Sequence, residues 1–471
     1  LRAAVKALDR RRLDHDSLRV IGHATLSKLR EAVRQVGELE TAFVHRYASV
    51  SAEISARLSA MARESALREA VTWQSKHLVS QVLDRVAESS PGSGAPRNEE
   101  LVASYLQRYC VKNDTIGFFG PVGWATWDES RCGVEARLGT HRLSARTVYF
   151  EDWAMQALAD RLSADKRLRR WMVPTLAPYV LVDGQQLQLP GSTAVTLTRQ
   201  QAALLEACRS GATAGHIADA LLQNPFCDFN DEREILDGLS LLSDARWLYF
   251  GYGVCLGDTR PEVRLRQRLE VIANPVLREE ALAPLRALES ARDEVAAAGN
   301  PGELLAALRR MDSVFEQVTD HASTRSAGQT YGARTVVYED CQRAAEVCFG
   351  GDVLCSLQDS LEPVLTSARW FCHETARIFR EALAEVFLRI APQTPSGVPH
   401  QIDMPTFWLH AQELFYGEGP AKIATLRRQL TAKWQELLRL NEGGDVMRRS
   451  VDLAPRVDAL FGVSGSGWVG A

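Results

Sequence analysis

The sequence predicts an α+β fold, a mostly helical, multi-lobed domain with small mixed sheets. Three observations carry this. Apolar residues recur at helical spacing, as at Leu26, Leu29, Val33 and Val36 and again at Ile54, Leu58, Met61 and Leu67. Short β-branched runs such as Arg334-Thr335-Val336-Val337-Tyr338 stand between the helical stretches. One block, residues 178–252, carries its own compact order of strands and helices.

At 471 residues the chain can bury large cores, and it divides into units at 1–177, 178–252 and 253–471. An apolar content of 46% and a charged content of 24% are ordinary for a globular protein. A net charge of −4 supplies no overall basic field, so any nucleic-acid contact has to come from a local patch. No apolar run is long enough to span a bilayer. There is no signal peptide. The chain starts at Leu1 and ends in Gly465-Ser466-Gly467-Trp468-Val469-Gly470-Ala471, which reads as a fragment trimmed at both ends. Nine cysteines without a Cys-x-x-Cys pair argue for buried reduced thiols and a cytoplasmic setting. Cys341, Cys348 and Cys355 recur every seven residues, but Gly350-Gly351 breaks any single helix through them, and no partner stands at metal-ligand spacing. Neither a metal nor an organic cofactor is expected.

Residues 1–88 read as helical, with Arg10-Arg11-Arg12 on a solvated face. Ser89 to Pro96 has the composition of a loop. A helix from about Glu99 leads into the densest stretch of the chain, Arg108 to Trp124. Arg108 and Lys112 are four apart and share a face at a helix end. Asn113, Asp114 and Thr115 stop helices and bond nearby backbone. Gly117, Gly120 and Gly123 allow close backbone approach or φ > 0. The pattern predicts helix, tight turn and strand, with two cations left at the turn. A helix–strand corner plugged by Phe118, Phe119 and Trp124 is the plainer reading of the same residues.

The stretch resembles the N-terminal signature of LanB-type lantibiotic dehydratases, commonly Arg-x-x-x-Arg-x-Thr-Pro-x-Gly-Leu-Phe. Anchored on Gly117, Arg108 matches the first arginine and Lys112 stands where the second usually is. Asp114 falls at the threonine, and Gly117-Phe118-Phe119 matches Gly-Leu-Phe. The resemblance implies transfer of glutamate from glutamyl-tRNA to Ser or Thr of a ribosomally made precursor peptide, after which a second domain eliminates it. Divergent members instead ligate another amino acid to a peptide. It also implies Arg108, Lys112 and Asp114 as catalytic positions and Thr115, Gly117 and Phe118 as substrate-binding ones.

Past the signature, residues 122–127 and 133–138 read as strands. Thr147-Val148-Tyr149-Phe150-Glu151 ends a further strand, and a helix follows through Leu162. The resemblance places an acidic residue of the transfer site near this point. Asp152 is the best match and Glu151 its rival, while either also serves as a helix N-cap. Residues 261–320 are helical, with Pro275, Pro284 and Pro301 marking boundaries. The run 334–338 is a strand whose end delivers Glu339 and Asp340. The resemblance implies a strand-borne aspartate in the transfer site, and Asp340 is its match, with Arg334, Tyr338 and Glu339 beside it as substrate-binding residues. Capping of a following helix accounts for Asp340 equally well. A long helix covers 361–390, a loop runs from Pro392 to Pro405, and a helix covers 421–440. Arg427-Arg428 and Arg448-Arg449 read as surface charge.

Within the 178–252 block, Tyr179 to Leu189 is a hairpin turning at Asp183-Gly184. Thr193 to Leu197 is a third strand. Helices run from Thr198 to Cys208, Thr213 to Leu222 and Asp231 to Leu242, with Thr198 and Thr213 as N-caps. Arg246 to Phe250 closes with a strand. This is winged-helix order, and it resembles the embedded peptide-recognition module of precursor-modifying enzymes. The resemblance implies a leader peptide that adds a strand beside Val195 and Leu197 and packs on the third helix at Ile235, Leu239 and Leu242. DNA is disfavoured by charge. From Thr198 to Tyr252 the basic residues are Arg199, Arg209, Arg233 and Arg246, against Glu206, Asp219, Asp228, Asp231, Glu232, Glu234, Asp237 and Asp244. Phosphate binding needs the opposite sign.

The expected reaction exchanges one ester for another. The aminoacyl carbonyl is already activated, so the enzyme has to exclude water, align a hydroxyl and stabilise an oxyanion. The expected partners are the precursor peptide, an aminoacyl-tRNA of the tRNA-Glu type and a separate or missing elimination domain, with homodimerisation left open. A non-catalytic precursor-binding protein is a third expectation for the same residues.

Overall fold

A computed structural model of the protein describes residues 23–88, 96–111, 115–189, 193–254, 257–325, 334–391, 402, 404–417, 419–440 and 449–462. The chain is α+β and mostly helical, and its described residues form three small sheets. Its N-terminal part holds helices α1 (His23–Arg63), α2 (Ser65–Gln74) and α3 (Pro96–Val111). Leu67, Val71, Val82, Leu83 and Val102 join Leu58 from the end of α1 in one core. Val33, Val36 and Ile54, which share the expected apolar spacing, stay exposed because only the C-terminal part of α1 is covered. Arg10-Arg11-Arg12 lies outside the described residues.

Strand β1 (Ala125–Asp128) is short. Strand β2 (Val134–Phe150) is long and joins what the sequence presents as two strands. Gly139, His141 and Arg142 break the β-branched pattern and hide the continuity; register shifts between Leu138 and Ala145 absorb the irregularity. Helix α4 (Asp152–Ser163) follows at once and buries Met155, Leu158 and Leu162.

The small block comes next. Strand β3 (Thr175–Leu176) is followed by β4 (Leu181–Asp183), β5 (Gln186–Gln188) and β6 (Val195–Thr196). The β4–β5 hairpin turns at Gly184, whose φ of 54° suits glycine, as its Asp-Gly pair predicts. Helices α5 (Arg199–Cys208), α6 (Ala214–Leu222) and α7 (Glu232–Asp244) are capped by Thr198, Thr213 and Asp231, each accepting a backbone N–H. Strand β7 (Leu248–Tyr249) pairs antiparallel with β3 rather than with the three-stranded β4-β5-β6 sheet.

Helices α8 (Pro261–Glu270), α9 (Pro275–Ala297) and α10 (Pro301–Thr319) fill residues 261–319. Pro275 and Pro301 start their helices, as a residue without a needed N–H should. Pro284 does not mark a boundary. It lies inside α9, where Ala281, Leu282, Leu285 and Leu288 are buried on both sides of it, so tertiary packing overrides the breaker. The largest core joins α4, α8, α9 and α10 to the end of β2.

Strand β8 (Val337–Gly350) then closes the first sheet in the order β1-β8-β2, parallel to β1 and antiparallel to β2. This corrects the expected strand at 334–338. Glu339 and Asp340 stand near the start of a long strand, and no helix follows Asp340 for it to cap. Helix α11 (Gly351–Ile390) begins where the glycine pair predicts a break, ten residues before its expected start, and α12 (Met404–Tyr416), α13 (Gly419–Leu438) and α14 (Ser450–Phe461) pack beside it. No helix of the described residues is long and apolar enough to cross a membrane.

Candidate active site

The site forms where the glycine turn after α3 meets the first residues of β8. Alternation along β8 sends Val337, Glu339 and Cys341 to the buried face, while Asp340 on the other face is exposed. The register pairs Glu339 with Val148 and Cys341 with Arg146, which brings Arg146 to the same face. Gly117 starts a single 3-10 turn, Gly117–Phe119, at a φ of 47°. A Cβ at residue 117 would stand 2.5 Å from Glu339 Cγ, so glycine is required both for the φ and for the approach. The Phe118 N–H donates to Glu339 Oε1 at 2.7 Å.

Charges around this contact are arranged in a chain. Arg146 bonds the Glu69 carboxylate and sets its Nε 3.1 Å from Glu339 Oε2, without the alignment that a hydrogen bond needs. Burial pushes the Glu339 carboxyl up from 4.5 to about 7, against the Phe118 N–H and Arg146, which lower it. Burial also pushes the Cys341 thiol up to about 12. The Arg142 and Arg146 guanidiniums lie 5.6 Å from the Phe118 ring centre, and that of Arg108 lies 5.3 Å from the ring of Phe119.

Beside the turn is a cavity of about 230 Å3. Thr115, Gly117, Glu151, Arg334, Tyr338, Glu339 and Asp340 line it together with Trp73 and Gln74. Arg334 is anchored by a bond to the Gln74 carbonyl. Burial raises the Tyr338 hydroxyl, and the charges of Asp340, Glu151 and Asp152 add to the rise. A second cavity of about 280 Å3 shares the Trp73, Gln74, Arg334 and Thr335 wall and reaches Lys76 and His77. The paired cavities thus offer a cation, a phenol and carboxylates around space for a small polar group. Among the described residues no group of three or more His, Cys, Asp or Glu is placed to hold a metal ion.

The structure gathers Thr115, Gly117, Arg334, Tyr338, Glu339 and Asp340, which lie far apart in sequence. Phe118 is buried behind the cavity and contributes its N–H to Glu339. Arg108 lies on the last turn of α3 against Phe119 and does not line the cavity. Lys112 and Asp114 lie outside the described residues. Asp152 is not on the cavity wall: its Oδ2 accepts the Gly257 N–H at 2.9 Å, whereas its neighbour Glu151 joins Glu339 and Asp340 in lining the cavity. Glu151 stands at the N-cap position of α4, and its side chain makes no capping bond. Trp73, Gln74, Arg146 and Glu69 escaped the sequence reading. Only the strand pairing and the placement of α2 bring them in, and no local pattern marks them.

In the small block, Val195 on edge strand β6 is partly exposed, whereas Leu197 is buried. Ile235, Leu239 and Leu242, expected beside the peptide, face the interior of the block. They are at most 3% exposed and form the core of the block itself, so the apolar face of α7 points inward. Leu241, 69% exposed, is on its outer side.

Residues 63–385 match the family described as lantibiotic dehydratase, N terminus. Among solved structures, the chain is similar to the glutamylation domain TbtB, from thiomuracin biosynthesis, bound to 5'-phosphodesmethylglutamycin. Identity is 16% and the TM-score 0.52, over 92% of this chain and 53% of that one. A second structure of that domain gives 15% identity and a TM-score of 0.52 over the same shares. The tRNA dependent lantibiotic dehydratase MibB from Microbispora sp. 107891 is 18% identical over 66% of this chain and 30% of that one, with a TM-score of 0.49. The chain therefore spans about half or less of the length of these solved relatives. At such identities the likeness to TbtB shows the fold alone. No protein of curated function matches the chain in sequence.

Proposed function

Because the chain belongs to the lantibiotic dehydratase N-terminal family, we propose that it transfers an aminoacyl group, glutamate, from charged tRNA to Ser or Thr of a ribosomally made precursor peptide. The observation that carries this reading is the cavity in which Arg334, Tyr338, Glu151 and Asp340 meet the glycine turn of the signature. The peptide hydroxyl oxygen attacks the ester carbonyl. The new ester forms, the bond to the tRNA 3′ oxygen breaks, and the proton of the peptide hydroxyl ends on that oxygen. Asp340 or Glu151 accepts the proton in transit or holds the α-ammonium of the amino acid. Arg334, on the cavity wall, is assigned to the oxyanion or the glutamate carboxylate, and the signature cations Arg108 and Lys112 are assigned to the tRNA 3′ end. The reading requires no metal or organic cofactor, places the protein where charged tRNA is, in the cytoplasm, and leaves elimination to another domain.

Leader recognition belongs to the 178–252 block. Its winged-helix order, its acidic balance and the outer edge of β6, with Val195 partly exposed, support strand addition by a peptide over binding of DNA. Lys112 and Asp114 depart from the common Arg and Thr, which favours ligation of another amino acid as the second reading.

The test is the protein with charged tRNA and a candidate precursor, read by mass. The added mass names the amino acid. Its position, on a hydroxyl or at the C-terminus, separates the two readings. Arg108→Ala should slow transfer by roughly tenfold to a hundredfold while the leader still binds, since one charge-assisted contact contributes about 1.5–3 kcal/mol. Asp340→Asn should lose activity with an unchanged melting temperature. Leader binding without transfer by the unaltered protein would make it a precursor-binding protein instead.

A further inference from the structure

A cavity larger than the one beside Gly117 lies in another part of the chain. It encloses about 670 Å3 between the β3–β7 ribbon, the end of α7 and helix α8. Its walls are largely apolar or aromatic, with Trp171, Leu248, Tyr252 and Val254 among them. Among the described residues no acidic one lines it, whereas Arg246 and Arg268 do. Neither arginine makes an ion pair with another described residue; Arg268 donates to the Gly253 carbonyl at 2.7 Å.

Arg246 sits where the backbone asks for glycine. Its φ is 62°, in the left-handed region. Its N–H donates to the Ser243 carbonyl and the Trp247 N–H to that of Leu242, the bond pair that ends a helix in a Schellman turn. Glycine is favoured at that position, and any other side chain there is strained. The Arg246 carbonyl also accepts the Tyr179 hydroxyl at 2.7 Å, so the strained residue is fixed at the rim. A strained backbone thus holds, at the rim of an apolar cavity, a cation with no ion pair among the described residues, an arrangement that suits an incoming anion.

We propose that this cavity binds a peptide segment carrying a bulky apolar side chain beside an acidic one. The apolar group enters between the aromatic walls, and the carboxylate meets Arg246 and Arg268. The ribbon has only two strands, so each keeps an unpaired edge, among the described residues, for the segment's backbone. The site is separate from the edge of β6 and rests on the reading that this chain handles a peptide.

Two short peptides test it on the full chain, each with an N-terminal fluorophore: Phe-Glu-Leu-amide and Phe-Lys-Leu-amide, followed by fluorescence anisotropy. The glutamate peptide should bind about tenfold or more tighter than the lysine one. Arg246→Gly should remove that preference and raise the melting temperature, since it relieves the backbone while deleting the cation. Val271→Glu, on the lip of the cavity, should invert the preference. Equal affinity for the two peptides, no saturable binding of either, or a preference that survives Arg246→Gly overturns the proposal. A lowered melting temperature in Arg246→Gly also overturns it, because the side chain would then serve the fold. The assay contains no tRNA and no Ser or Thr, so its failure leaves aminoacyl transfer standing, and a chain that binds the peptide but transfers nothing separates the two.

Discussion

The Glu339 carboxyl is 6% exposed, takes one N–H from Phe118 and lies beside an Arg146 that is shared with Glu69. Burial outweighs these partners and raises it from 4.5 to about 7. The sign follows from proton binding. Between those values the folded chain holds a proton that the unfolded chain has lost, so stability is highest below pH 4.5 and falls as pH rises through 7. The full effect is on the order of 3 kcal/mol. Glu339→Gln keeps the acceptor for Phe118 and removes the titration. Its unfolding free energy, measured by urea at pH 5 and pH 7.5, should fall less with pH than that of the unaltered chain; equal falls would place the ionisation elsewhere. Gly117→Ala meets the same carboxyl from the other side. It combines a left-handed φ with a Cβ inside Glu339, and should lower stability by about 1–3 kcal/mol and slow transfer. A melting temperature equal to that of the unaltered chain would show that the turn relaxes freely.

Among the elements, α5 has the most complete terminus. Thr198 accepts the Gln201 N–H at 3.1 Å, and the Gln201 side chain accepts the Thr198 N–H at 3.0 Å. Thr198→Ala should cost about 1 kcal/mol. Because the two bonds form one reciprocal box, the double variant Thr198→Ala with Gln201→Ala should cost less than the two single costs added, as thermal melts can decide. Strand β8 shows the opposite relation between sequence and element. Its β-branched start is legible, but Gln342-Arg343-Ala344-Ala345-Glu346 carries no strand signal, and pairing with β2, with a single bridge from Val122 to Gln342 on the other side, holds that stretch extended.

For the whole molecule, the net charge of −4 leaves any attraction for tRNA to a local set of cations around the signature. Arg108, Arg142 and Arg146 already stack on Phe118 and Phe119 there. Each phosphate released from its counterions contributes a slope of about −0.7 to the salt dependence of binding to a single strand. Under the proposed transfer, added salt should therefore raise the KM for charged tRNA, while a leader held by strand pairing, as proposed, should lose less affinity. A leader affinity that falls as steeply as tRNA affinity would move the basis of peptide binding to charge.

The sequence by itself determined the helical majority, the hairpin and capped helices of the 178–252 block, and the glycine turn of the signature. Each is set by near neighbours: Asp-Gly at 183–184, threonine caps at 198 and 213, and a positive φ that only Gly117 accepts without strain. The tertiary structure decided which acids reach the cavity. Glu151 and Asp152 are adjacent, and the same local pattern suits both, but Gly257 takes Asp152 and leaves Glu151 on the wall. It also decided that Ile235, Leu239 and Leu242 face inward, because an apolar stripe does not say what covers it. Arg146 reaches Glu339 only through the register of β2 on β8, a pairing of residues far apart in the chain that no local spacing encodes.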